Sequence, residues 1–332
     1  SGPFATAWLA SMGAEVIKVE STKRPDGIRF SAAIDPKADP QYFEKSPVFH
    51  ASNLGKKGIT LELDEPEGLA KAKALIAEVD VVAENFTPRV MDGFGLSYDE
   101  VRAINPSVVM LRLPAFGLTG PWRDRPGFAQ TMEQLTGMAW VTGYEGGPPI
   151  IPAGLVDPTV GTHAAIALVA ALDWCARTGE GQLIEMAMIE VAAAMTAEQV
   201  IEYSATGELI GRRGEGGVYR CEGDDEWVAV DSAADPMAAG ERAAWCASRT
   251  ADDAVRELLD AGIAAAAMVP AFMTLDDPQL RARHFFQPIE NPIVGTQEYP
   301  GWPVHLSCGP KPGDWWTGHA PTLGQDNDEL LA

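Results

Sequence analysis

The chain has 332 residues, 46% of them hydrophobic, and a formal net charge of −22, which is enough for two domains, or one large domain with a lobe, around a buried core. That charge argues against nonspecific binding to nucleic acid or to an anionic membrane, so a phosphate-bearing ligand needs a local basic site. No uninterrupted apolar run reaches a membrane span of roughly 20 residues, and the four cysteines and five histidines are scattered without C-x-x-C or H-E-x-x-H spacing, which predicts free thiols, a cytoplasmic setting and no protein-built metal site.

Ser1-Gly2-Pro3 reads as a turn and residues 4–12 as a helix stopped by Gly13. Apolar alternation over 14–20 predicts a strand. A chain that opens this way is expected to lack the strand before its first helix, or to be one half of a longer fused chain. Further strands are expected at 59–63, 80–84 and 107–113, with helices at 68–79 and 98–104 between them. Acids at 64, 65 and 67 favour the start of the first of these helices. Strand and helix alternate at a spacing that suits βαβ units, so the fold class is α/β with a parallel sheet covered by helices. Ligands of such sheets bind beyond the carboxyl ends of strands, where Asn85-Phe86 and Ala115-Phe116-Gly117 fall. The loop 116–121 is glycine-rich but lacks the spacing of a dinucleotide fingerprint or a P-loop.

Residues 127–141 predict a helix and 146–149 a turn. The stretch 154–163 then runs into an alanine-rich helix, with Asp157 expected at its N-cap and Pro158 at its first helical position. That placement sets a carboxylate at the positive end of a helix, where an anion is favoured. A turn at 179–181, a strand at 182–187 and a helix at 188–203 follow. The glycine-rich segment 209–217 marks a hinge, so residues 1–208 form a large domain and 209–290 a hinge with a small domain. The latter holds a strand at 226–231, helices at 238–247 and 251–261 and an apolar run at 263–269. Breakers make 288–300 read as a connector, and 291–332 as a segment that returns to the large domain. Trp140, Tyr144, Met188 and Tyr203 are candidate pocket residues, although large apolar side chains at helical spacing more often serve a core.

Taken together, the motifs give the chain a family likeness. They are Ala-Glu-Val-Ile-Lys-Val-Glu at 14–20, Asn-Leu-Gly-Lys-Lys-Gly-Ile-Thr-Leu at 53–61, Glu-Asn-Phe-Thr-Pro at 84–88, Phe-Gly-Leu-Thr-Gly-Pro at 116–121, Asp157 with its helix, and Thr-Gly-Glu-Gly-Gln at 178–182. Asp277-Pro278-Gln279-Leu280 with Arg283, and Ala320-Pro321-Thr322-Leu323-Gly324, complete an ordered set along nearly the whole chain. With these motifs the sequence resembles the class III CoA-transferase family, which includes formyl-CoA and carnitine CoA-transferases and 2-methylacyl-CoA racemases.

The resemblance implies a Rossmann-like large domain built from both chain ends, a smaller α+β lobe and an interlocked homodimer. It implies coenzyme A as co-substrate, acyl-CoA and small carboxylic acids as substrates, and no metal. Asp157 matches the family's nucleophile, and Gly161 and His163 sit where formyl-CoA transferases have the same residues. Leu61 to Asp64 and Asn85-Phe86-Thr87 match positions that line the CoA groove. Arg29, Lys56, Lys57 and Arg89, with Lys23 and Arg24, are the cations available for CoA's phosphates. Near residues 21–29 only Arg29 fits the family pattern cleanly, and Asp64 stands where formyl-CoA transferases have lysine. Glu215-Gly216-Gly217 is a candidate for a mobile cover, with a plain hinge as the competing reading.

The racemase branch carries a proton-transferring histidine shortly before the helix that precedes the aspartate. Here Pro126-Gly127 is followed by Phe128, which cannot carry a proton, so transfer is favoured over racemisation. His163 lies inside the helix, where a core or satisfied histidine is expected. Glu133 and Gln134 stand where the family often has a glutamine, and either orient substrate or face solvent. A non-catalytic lobe of a tandem transferase is the reading from another class.

Overall fold

Short parallel strands followed by helices organise the first half of the chain. β1 (Ile17–Glu20) pairs in parallel with β2 (Lys57–Thr60), and β3 (Val81–Glu84), β4 (Val109–Arg112) and β5 (Leu183–Glu185) form a second parallel sheet in that order. The computed structural model describes residues 1–31, 34–144, 146–209, 211–212, 217–231 and 234–331. It is a mixed α/β protein of two units, Ser1–Ala139 with Ile151–Ile201 and Arg283–Ala332, and Trp140–Ile150 with Glu202–Ala282.

In the first unit the helices are α1 (Gly2–Ser11), α2 (Pro47–Asn53), α3 (Pro66–Glu78), α4 (Pro88–Gly93), α5 (Tyr98–Ile104) and α6 (Ala129–Leu135). The expected helix over 127–141 stops at Gly137, whose φ is +84°, and resumes as α7 (Met138–Val141). α8 (Val156–Thr178) is the central helix: Val156, Val160, Ala164, Leu168 and Ala171 form its buried stripe against Val109, Leu111 and Leu113 of the β4 region. Its length and composition would suffice to cross a membrane, contrary to the expectation from uninterrupted runs, but this stripe belongs to the unit's main core. Gly179, at φ +77°, ends it. α9 (Met188–Ala194) and α10 (Ala197–Thr206) replace the single expected helix.

The second unit has an antiparallel sheet of β6 (Gly217–Arg220), β7 (Trp227–Val230) and β8 (Ala265–Ala267) with α11 (Ala239–Ala247) and α12 (Ala251–Asp260). Val228, Val230, Cys246, Ala254 and Leu258 make its core. The units divide near 201/202 and 282/283, and 140–150 falls with the second; the expected borders were 208/209 and 290/291. After α13 (Pro278–Ala282), the expected connector at 288–300 is instead a hairpin of β9 (Phe286–Asn291) and β10 (Gly295–Pro300). Prolines 288 and 300 are compatible with it because each strand of a two-stranded ribbon has an open edge where no N–H is required.

The tail packs on the first unit. Gly58 N donates to Asp326 Oδ2 at 2.6 Å, Asp326 N to Gly58 O at 2.9 Å, and Thr60 N to Asn327 Oδ1 at 2.8 Å. The start of α14 (Asn327–Leu330) thereby covers the free edge of β2, an edge that would otherwise present unpaired backbone groups.

Candidate active site

The N-terminus of α8 differs by two residues from the expected frame. The helix starts at Val156, its N-cap is Leu155, and Asp157 lies in the first turn without capping. The backbone donors of the loop before the helix are taken by another carboxylate. Glu133 of α6 is fully buried and accepts from Ala153 N at 3.0 Å, Gly154 N at 2.8 Å and Leu155 N at 2.8 Å. The loop that it holds is bent through left-handed conformations, with Ala153 at φ +68° and Gly154 at φ +111°; the former is unusual for a residue with a Cβ. The expectation that Glu133 orients substrate or faces solvent is therefore corrected, because its oxygens are occupied by backbone.

Asp157 keeps a free oxygen. Ser1 meets Oδ1 with its main-chain nitrogen at 2.9 Å and its hydroxyl at 2.5 Å. Oδ2 has no hydrogen bond among the described residues, and the side chain is 45% exposed. α1 carries Ser1 to this position by packing on α8 at Gly161, where an added Cβ would lie 2.9 Å from Phe4 Cβ. Gly161 is thus a close-approach residue. Asn85 fixes the other side of the turn: its Oδ1 accepts from Gly2 N at 2.5 Å and its Nδ2 donates to Leu113 O at 2.8 Å. The 85–87 loop is set in turn by Glu84, which accepts from Phe86 N at 2.7 Å and from Arg112 Nε at 2.7 Å. Burial pushes the Glu84 carboxyl above its ordinary range against the opposing pull of Arg112.

The proposed phosphate cations divide sharply. Arg29 is fully buried, with its guanidinium 2.7 Å from Glu20 Oε2 and 2.6 Å from Glu44 Oε2 and stacked over Phe49 at 3.6 Å. Lys56 is buried and donates to Pro3 O, Ser52 O and Asn53 Oδ1 at 2.7–3.0 Å; burial pushes its amine well below the ordinary value. Both have structural partners in place of a phosphate. Lys57 bridges Glu329 at 2.7 Å and Glu15 at 2.9 Å, which raise its pKa in that order. Lys23 is engaged by Glu65 and Asp64. Leu61 is buried beside Ile59 and Ala72. Arg24 and Arg89 are exposed, and neither guanidinium has a partner among the described residues. Phe86 is half exposed at the end of β3, and Thr87 is the N-cap of α4.

Glu62 falls within the 61–64 stretch expected to line the CoA groove, but its contacts here are internal. It accepts from Ser21 Oγ at 2.6 Å and from Thr22 N and Oγ1 at 2.7 Å, and these donors hold its carboxyl down at about 2. It closes the loop that leaves β1, a position where an acid after a strand signals loop closure as readily as ligand contact. Phe128 is largely exposed at the start of α6, and His163 faces solvent with Nδ1 2.9 Å from Thr159 O, so it is satisfied but not in the core. Met188 is in the core, whereas Trp140, Tyr144 and Tyr203 are exposed. Glu215 and Gly216 lie outside the described residues. A surface groove of about 550 Å³ lies along the far part of α8 and β5, between Ala167 and Glu185, and does not include Asp157. No cluster of metal-ligating side chains occurs among the described residues.

The model for CoA-transferase family III matches residues 1–242 and 235–327. The succinyl-CoA–D-citramalate CoA-transferase of Chloroflexus aurantiacus is 32% identical over 370 residues, covering 100% of this chain and 90% of that one. The succinate–glutarate CoA-transferase of Agrobacterium fabrum is 35% identical over 209 residues, covering 62% of this chain and 52% of that one. The crystal structure of a CAIB/BAIF family protein from Brucella suis superposes with a TM-score of 0.81 at 27% identity, over 99% of this chain and 94% of that one.

Proposed function

The chain belongs to CoA-transferase family III, and from that premise we propose that it transfers CoA from an acyl-CoA to a free carboxylic acid with Asp157 as covalent nucleophile. The observation that carries this reading is the carboxylate of Asp157 in the first turn of α8, half exposed, with Oδ2 uncommitted while Glu133 takes the loop's backbone donors. A helix N-terminus favours the anionic, nucleophilic form.

In the proposed sequence Oδ2 attacks the thioester carbonyl, and the tetrahedral oxyanion collapses with cleavage of the C–S bond. This leaves an aspartyl–acyl anhydride and CoA thiolate. The thiolate then attacks the aspartyl carbonyl carbon, the anhydride C–O bond breaks, and the donor acid departs as its carboxylate. The aspartyl–CoA thioester is consumed by the reverse steps with the acceptor carboxylate, which regenerates the Asp157 carboxylate and releases the new acyl-CoA. Each tetrahedral oxyanion requires nearby N–H donors. Arg24 and Arg89 are the uncommitted cations for CoA's phosphates in this reading, with the exposed Phe86 beside the strand end. Ser1 holds Oδ1 and so leaves Oδ2 as the attacking atom.

Succinyl-CoA is the donor and short dicarboxylates the acceptors to try first in this reading, in keeping with the names of the relatives. A homodimer is part of this reading, supported by the outward apolar residues Ile166, Val169 and Trp174 of α8. Racemisation is disfavoured by Phe128, which offers no proton.

The test incubates the protein with a panel of acyl-CoA donors and hydroxylamine and looks by peptide mass for a modified Asp157. The expected result is an adduct at Asp157 and loss of transfer in Asp157→Ala. Activity that survives in the variant, or no adduct with any donor, overturns the reading. Fast α-proton exchange in deuterium oxide without transfer would assign the racemase.

A further inference from the structure

Two carboxylates stand at one helix start, and they are used differently. The oxygens of Glu133 receive three backbone N–H groups of the 153–155 loop, and the side chain is fully buried. Asp157 is half exposed and accepts nothing from that loop. Ala153, Gly154 and the N-cap Leu155 stand before the first helical residue, and backbone N–H groups turned toward the interior need an acceptor. Asp157 follows Leu155 by two residues, so the course of the 153–155 loop sets where its carboxylate stands.

From this arrangement we infer that Glu133 is the positioning residue of the nucleophile: it saturates the backbone donors before α8 and fixes the left-handed turn at Ala153-Gly154, so that the Asp157 carboxylate stays uncommitted and aimed outward. The inference rests on the assignment of Asp157 as nucleophile. Oε1 receives both Gly154 N and Leu155 N, whereas Oε2 receives Ala153 N alone. The oxygens are therefore not equivalent. A glutamine can keep the Oε1 pair through its carbonyl, but its amide –NH2 must then face Ala153 N–H, donor against donor. This asymmetry makes Glu133→Gln a graded perturbation and Glu133→Ala a full one. The left-handed Ala153 adds a second handle, because glycine adopts that conformation without steric cost.

The experiment compares wild type, E133Q, E133A and the double variant E133Q with Ala153→Gly. Each is first shown to be folded by circular dichroism and thermal melting. Three quantities are then read: hydrogen exchange of the 153–155 amides, the single-turnover rate of Asp157 adduct formation from succinyl-CoA, and KM against kcat. The expected result is faster exchange at 153–155, with adduct rate and kcat down about tenfold in E133Q and about a hundredfold in E133A, scaled to the usual cost of displacing a reacting group by about 1 Å. KM should move less than about threefold, since ground-state binding is retained. The added glycine should restore part of the rate. Unchanged exchange, or a wild-type adduct rate in folded E133A, overturns the inference, as does a loss of melting temperature with kcat per folded molecule intact. Failure of the nucleophile reading is recognised separately, because the wild type itself then forms no Asp157 adduct, and that result overturns the inference as well.

Discussion

Gly161→Ala separates tight packing from catalytic alignment. The added Cβ would lie 2.9 Å from both Cβ and Cδ1 of Phe4 and 3.1 Å from the backbone nitrogen of Ala5. Carbon atoms rest at about 3.5–4.0 Å, so α1 must withdraw by roughly 0.6–1.1 Å. Overpacking of this kind costs about 1–3 kcal/mol, and the better helix propensity of alanine returns about 0.5–1 kcal/mol. The net destabilisation is then about 0–2.5 kcal/mol, small enough for the protein to remain folded. The displacement also reaches Ser1 at the head of α1, whose hydroxyl is 2.5 Å from Asp157 Oδ1, and a shift near 1 Å takes that contact beyond hydrogen-bond range. Turnover should therefore fall by at least about tenfold while urea denaturation reports only a modest loss. Gly240→Ala in α11 is the control: nothing lies within 4 Å of its added Cβ, and it should gain up to about 0.5 kcal/mol with activity unchanged. A Gly161→Ala protein of full stability and full turnover would refute the proposed coupling of α1, Ser1 and Asp157.

Two further outcomes follow from the buried groups. Arg29→Ala leaves Glu20 and Glu44 without their shared cation and should cost about 3–5 kcal/mol in urea denaturation; a loss under about 1 kcal/mol would remove Arg29 from its structural part. Burial pushes His50 below its ordinary value of 6.5, so the unfolded chain takes up that proton first as pH falls. Its contribution to stability is complete above about 6.5 and is lost as pH drops through the folded value, with a limiting slope of about 1.4 kcal/mol per pH unit. His50→Gln should flatten the stability curve below about pH 6.5 relative to wild type, and parallel curves would exclude the histidine as its source.

The parallel strands were legible because period-2 apolar runs ended at breakers, and β3, α5 and β4 fall within two residues of their expected bounds. The helix start at 156 was two residues out because the path of the loop depends on which side chain reaches its N–H groups, and Glu133 reaches them from 20–22 residues upstream. Local spacing cannot report such a contact. Arg29 was read as a phosphate ligand because an arginine that neutralises buried carboxylates and one that waits for an anion look alike in sequence. Only its burial between Glu20 and Glu44 separates them. The hairpin at 286–300 was hidden by prolines that forbid a central strand but not an open-edged ribbon. Asp157 was singled out from motif order along the chain, and Glu133, Gly161 and Asn85 were named too, but their contacts around the helix start were not legible.

The tail that covers β2 also sets a clock. Asp326 and Asn327 contact backbone 267–268 residues earlier, and Arg29 donates to Pro321 O across 292 residues. At a synthesis rate of about 5–20 residues per second, the edge of β2 waits roughly 15–55 s for its cover. During that interval the nascent chain exposes a strand edge, and its buried arginine lacks one acceptor. The first unit, although it opens the chain, is therefore completed last, and slowed or prematurely terminated translation should leave it as a chaperone client while the second unit, continuous from 202 to 282 apart from its 140–150 segment, folds ahead of it.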